Sequence, residues 1–178
     1  MKQVKNMIMT ALCIAIGIIL PVVFHSIPNA GSILLPMHIP VLLCGLMLGP
    51  QYGLACGALT PLLSSLVTGM PPAAVLPAML CELAVYGLVS GLLMRVVHTK
   101  WRIANIYISL GGAMLCGRIV AGVLSALVFQ VGEYSMQIWL SSLFIAAIPG
   151  IIIQLVLIPV LIMALNRAGV VNYGRQPQ

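Results

Sequence analysis

Two charged residues, Glu82 and Arg118, stand inside long apolar segments of the chain. Charge at such depth is costly unless it is paired or serves a site. Counted at ~1.5 Å per residue from the polar turns on one side, Glu82 lies roughly 14 Å deep and Arg118 roughly 16 Å. The two therefore share a level. They make either a structural ion pair or a solute-binding pair. In the second case the guanidinium grips a carboxylate or phosphate and the carboxylate accepts from hydroxyl or amine groups. The same pair can also close on itself when empty and part when solute arrives. Tyr86 follows Glu82 by one helical turn and shares its face. His38, between Pro36 and Pro40, is either a satisfied structural histidine or a ligand contact at a cavity mouth.

Further candidates are Asn29, Trp139, Ser142, Thr60 and Ser64, each with a plainer reading. An aromatic at the membrane interface is commonly an anchor, and Ser or Thr often bonds back to its own helix. Gln154 is either helix glue or cavity lining. Other chemistries are absent from the sequence. It has no G-x-x-x-x-G-K-[ST], no H-E-x-x-H, no G-x-S-x-G and no Asp, so P-loop ATP binding and a carboxylate-ligated metal site are not expected. Five cysteines (13, 44, 56, 81 and 116) fall in apolar segments without a C-x-x-C or zinc spacing, and read as small buried packing residues.

The elements that must hold these residues are membrane helices. The chain of 178 residues is 62% hydrophobic and 6% charged, with a mean hydropathy of +1.18. A soluble domain would carry about a quarter charged residues. The net charge of +6 comes without a basic stripe interleaved with aromatics, so nucleic acid is not the expected partner. The apolar run after the basic start lacks an A-x-A-like site, and no cleavable signal peptide is expected.

Six spans are expected in one membrane domain covering 1–178. They lie at about 7–24, two short ones between 36 and 72, then 73–96, 103–129 and 139–165, with tails 1–6 and 166–178. The proline-rich stretch 36–72 organises them. Between Pro40 and Pro50 there is room for one helix of roughly 16 Å, half the ~30 Å hydrocarbon core. Broken segments are allowed at that depth only inside protein or along a cavity. The second of the pair is expected from Gly53 to Thr68, after a tight turn at 49–53. Lys2, Lys5, Arg95, Lys100, Arg102, Arg167 and Arg175 all fall on one side of this topology. The positive-inside rule puts both termini in the cytoplasm. Ala11 and Ala15, four apart on the first span, form a small-residue face suited to close helix approach, within this chain or with a partner.

Six spans, a short second and third, a capping first loop and the Ala11-x-x-x-Ala15 face resemble the substrate-binding (S) component of an energy-coupling factor (ECF) vitamin transporter. The stretches LPMHIPVLLCGLMLGPQYG (35–53), LTPLLSSLVTGMPP (59–72) and CELAVYGLVSGLL (81–93) resemble the pantothenate-type branch. The likeness covers about residues 8–165. It implies an all-α integral membrane protein of a bacterial cell membrane, a binding and translocation subunit rather than an enzyme. It also implies partners: a transmembrane coupling subunit docking on Ala11 and Ala15, and two ATPase subunits that carry ATP and Mg. The S component then topples in the membrane to deliver its vitamin, and this chain holds no cofactor of its own. Glu82, Arg118, His38, Tyr86, Asn29, Trp139, Ser142, Thr60 and Ser64 are the expected solute contacts. A pyridoxine or hydroxymethylpyrimidine type of vitamin is the alternative solute. A stand-alone carrier and a small polytopic membrane enzyme are the alternative classes.

Overall fold

The computed structural model describes residues 2–24, 33–126 and 147–169. Among them the chain forms six α-helices and no strand: α1 (Lys2–Val23), α2 (His38–Leu48), α3 (Pro50–Thr68), α4 (Leu76–Val96), α5 (Arg102–Leu124) and α6 (Ile148–Arg167). The all-α expectation is met. Four of them, α1, α4, α5 and α6, are long and apolar enough to cross a membrane. Their outward faces carry large apolar side chains such as Leu12, Ile19, Leu92, Ile119 and Val156. Water would not tolerate so many at once, whereas lipid does.

The 11-residue α2 is roughly 16 Å long and too short to span. It is enclosed instead: His38, Pro40, Val41, Leu42, Cys44, Gly45 and Leu46 are all buried. The turn after it is tighter than expected. Gly49 alone reverses the chain at φ 101°, its N–H bonding to the Gly45 carbonyl at 3.0 Å. Pro50 then opens α3 at once, because proline at the first helical position gives up a donor that had no partner there. α3 therefore starts three residues before Gly53 and runs for 19 residues. At its other end Gly69, φ 72°, caps the helix through its N–H to the Ser65 carbonyl.

α4 is the hub, packing against α2, α3 and α5. Its crossing with α3 is made by glycine. Gly53 and Gly57 on α3 face Gly87 and Leu83 on α4, and Gly91 faces the backbone of Gly49 and Pro50. A Cβ built on Gly87 would collide with the Gly53 carbonyl, and one on Gly53 with the Gly87 carbonyl. Both helices thus carry a G-x-x-x-G, the spacing that lets backbones touch where lipid supplies no hydrophobic drive. Across α2 the same contact continues, since a Cβ on Gly45 would strike Gly87 and Ser90.

α1 lies on α2 and α3 with Thr10, Cys13 and Gly17 turned inward. Ala11 and Ala15 are exposed, so the described residues do not use their face for packing within the chain. Of the cysteines, 13, 44 and 56 are buried as packing residues, Cys81 is half-buried and Cys116 is exposed. Packing does not account for Cys116.

α4 begins at Leu76 rather than 73, after a turn in which Val75 and Leu76 N–H groups bond to the Pro72 carbonyl. Where the fifth span ends and the sixth begins falls largely in 127–146, outside the described residues. α6 extends to Arg167, into the expected tail.

Gly87→Leu is expected to prevent the α3–α4 crossing. Overpacking ordinarily costs ~1–3 kcal/mol, and here the obstacle is backbone that cannot rotate away. Gly111→Ala, where an added Cβ meets open space, is expected to be neutral or to gain up to ~1 kcal/mol of helix propensity. Thermal unfolding of the detergent-purified variants checks both, and equal melting temperatures would contradict the crossing.

Candidate functional site

Three helices deliver polar side chains to one buried point. Glu82 and Tyr86 sit four apart on α4, so both face the same direction, 7% and 0% exposed. Opposite them α2 starts with His38, 1% exposed, whose backbone N–H bonds to the Leu35 carbonyl at 3.1 Å. Its Nε2 stands 3.7 Å from Glu82 Oε1. That distance is close polar contact, longer than a hydrogen bond. The imidazole also meets the Tyr86 ring edge-on, centroids 5.2 Å apart at 65°, a favoured aromatic geometry.

α5 supplies Arg118, 2% exposed, whose positive charge acts on both Glu82 and Tyr86. It can approach because its neighbour is Gly117. A Cβ there would fall on the Tyr86 ring and come within 3.1 Å of the Glu82 carbonyl. Glu82 is six residues from the start of α4, roughly 9 Å along the helix, and Gly117, the residue before Arg118, packs against the Glu82 carbonyl. The two are level, as their positions in the sequence implied. The side chain that stands nearest to Glu82 in this cluster, however, is His38.

Polar capacity is left over. His38 Nδ1, the Tyr86 hydroxyl and both amide atoms of Gln154 are buried without a hydrogen-bond partner among the described residues. Gln154 is fully buried on the inward face of α6, in line with Ile158 and Ile162, and α6 packs on α2 and α5. Each such group costs about 1–3 kcal/mol while unpaired, and a native protein retains it for a reason. Carboxylate, imidazole, phenol and guanidinium together offer donors, acceptors and both signs of charge. That set has the chemistry to bond a small polar solute. Among the described residues no group of three His, Cys, Asp or Glu could hold a metal ion.

The other sequence candidates lie elsewhere. Thr60 donates to the Cys56 carbonyl at 2.7 Å within α3, and its methyl faces Gly17 and α1. Ser64 is buried with Oγ 3.4 Å from Thr68 Oγ1, again within α3. Asn29, Trp139 and Ser142 fall outside the described residues. Gln154, which the sequence left open between glue and lining, bonds to none of the described residues. The close seat of Tyr86 on Gly117 was not read from the sequence, since a lone glycine in a helix does not announce its neighbour.

Among the described residues the fold is an all-helical membrane bundle enclosing a buried polar cluster. The model of the family "ECF transporter, substrate-specific component" matches residues 5–162, nearly the whole chain, and the protein belongs to that family. It is thus a transporter subunit rather than an enzyme by family. No match is found among the curated proteins or among the solved structures.

The unpaired groups make a checkable statement about the empty protein. Tyr86→Phe and Gln154→Leu each remove an unsatisfied buried group, and are expected to leave the melting temperature of solute-free protein unchanged or raise it. Glu82→Ala, which strips His38 of its partner, is expected to lower it. A lowered melting point in both of the first two variants would mean those groups are already satisfied.

Proposed function

We propose that this chain captures a vitamin of the pantothenate type in the cluster of His38, Glu82, Tyr86 and Arg118, and hands it inward as part of an ATP-driven ECF importer. The observation that carries the reading is the convergence of these four buried side chains from α2, α4 and α5, with unbonded polar atoms on His38 and Tyr86. Arg118 takes the carboxylate as a forked, charge-assisted pair. Glu82 and His38 take the hydroxyls, and the Gln154 amide matches a solute amide with one donor and one acceptor. Asn29, Trp139 and Ser142 are further proposed contacts, while Thr60 and Ser64, bonded within α3, take no part in this reading.

Delivery follows the family resemblance. The protein sits in a bacterial cell membrane with both termini in the cytoplasm. Its exposed Ala11–Ala15 face docks on a transmembrane coupling subunit, and two separate ATPase subunits supply ATP and Mg. The S component topples to release its solute. A second reading is favoured by one feature: the His38–Tyr86 aromatic pair beside Glu82 suits a flat ring. A pyridoxine or hydroxymethylpyrimidine type of vitamin would use it, with Arg118 then acting as a structural partner.

Arg118→Ala is expected to abolish binding with the fold retained, since it leaves Glu82 and the solute uncompensated at a cost of ~3–5 kcal/mol. Pantothenate-induced thermal shift of the purified protein reads this out. A shift equal to wild type would remove the role given to Arg118 and favour the ring-type vitamin. Native mass spectrometry of freshly purified protein identifies the solute directly.

Replacing Ala11 and Ala15 together by Leu is expected to stop co-purification with the coupling subunit while the solute-induced shift is kept. A complex that still forms would show that the face is not the docking surface.

A further inference from the structure

At the opposite end of α5 from Arg118 the structure holds a recess. A cavity of about 310 Å³ opens between the start of α5 and the end of α6, lined by residues that include Trp101, Arg102, Ile106, Ile162, Met163 and Asn166. Ile106 is twelve residues from Arg118, roughly 18 Å along the helix, so this recess is separate from the solute cluster. Its lining changes character with depth. Ile106 and Ile162 are buried at 2% and 3% exposure and form an apolar floor, Met163 is partly exposed, and the rim carries Trp101 and Arg102, both exposed.

Among the described residues the surrounding charge has one sign. Lys100 precedes the rim and Arg167 follows Asn166. Of the two acidic residues in the chain, Glu82 lies in the solute cluster and Glu133 lies outside the described residues. The start of α5 adds the positive end of a 23-residue helix whose N-cap side chain makes no capping bond. A soluble anion would use this rim but not the floor, and a neutral apolar molecule would use the floor but not the rim. An anionic amphiphile uses both. The tryptophan and the clustered cations place the rim at the level where phosphates lie in a bilayer, and basic recesses between membrane helices are fitted to acidic headgroups.

We propose that the groove between the start of α5 and the end of α6 binds an anionic phospholipid, its acyl chain on Ile106, Ile162 and Met163 and its phosphate at Arg102. The inference needs only the membrane setting and is independent of which vitamin the cluster holds.

Trp101 reports on its own surroundings. In full-length Trp139→Phe protein, Trp101 is the remaining tryptophan, and lipids brominated on the acyl chain quench it only when adjacent. In vesicles, brominated phosphatidylglycerol is expected to compete for this position about fivefold better than brominated phosphatidylcholine. Arg102→Ala is expected to bring the ratio close to one. Met163→Phe, which crowds the groove and leaves Arg102 in place, is expected to weaken quenching by both lipids, with the melting temperature confirming the fold.

Equal quenching by the two lipids in the parent protein assigns the groove to acyl chains in general and overturns the proposal. So does a preference that survives Arg102→Ala, or unweakened quenching in Met163→Phe, either of which reveals diffuse surface attraction. A preference erased by millimolar inorganic phosphate at constant ionic strength gives the rim to a soluble anion, and also overturns it. No quenching by either lipid means that protein rather than lipid covers the groove, and the proposal fails in that case too.

Discussion

Inside a bilayer no water is at hand for a stray polar group, and the arrangement of this bundle follows from that deprivation. Every helix can satisfy its own backbone, but a helix that stops halfway cannot leave its ends in lipid. α2 stops after 11 residues and is accordingly wrapped by α1, α3, α4 and α6. Once a half-length helix is enclosed, its first residue opens into the protein interior rather than into headgroups. His38 is that residue. The same constraint that hides α2 therefore delivers an imidazole to the depth of Glu82.

Wrapping requires that helices come close, and the close approach is backbone on backbone. The glycines of α3 and α4 bring the two axes together until carbonyl oxygens occupy the space where methyl groups would stand. Gly117 does the same for α5 against the Tyr86 ring. Small residues thus concentrate polar side chains from three helices without any loop having to carry them. A site set on packed helices keeps its geometry better than one on mobile segments, which suits a receptor that must select a dilute solute. The same economy of polar groups explains the remainder. Unpaired atoms on His38, Tyr86 and Gln154 are intolerable in a lipid setting unless something arrives to bond with them.

Much of this was legible beforehand, for identifiable reasons. Mean hydropathy and the scarcity of charge place the chain in the membrane, and the spacing of prolines 40 and 50 limits α2 to half a span. Relative depth is also readable, because rise per residue is constant: Glu82 and Arg118 were expected to be level and are, although Glu82 lies ~9 Å rather than ~14 Å from its helix start because α4 begins at Leu76. Direction around a helix axis is less readable when nearly every face is apolar. Ala11 and Ala15 could belong to internal packing or to an outside partner by spacing alone, and their exposure sets aside only packing against the described residues. Thr60 and Ser64 looked like candidates for the same reason, until α3 turned their hydroxyls back upon itself. The G-x-x-x-G pairs at Gly53 and Gly87 stood in the sequence, but spacing does not say which helix a motif meets.

Membrane class and the shared level of the buried charges were determined by the sequence alone, since each depends on local composition and a fixed rise per residue. Partnership was not. That Glu82 faces His38 before it faces Arg118, that Gln154 bonds to none of the described residues, and that a groove opens between α5 and α6 were decided only by the tertiary structure. Those facts depend on how helices rotate and cross, and crossing is settled by contacts between residues far apart in the chain.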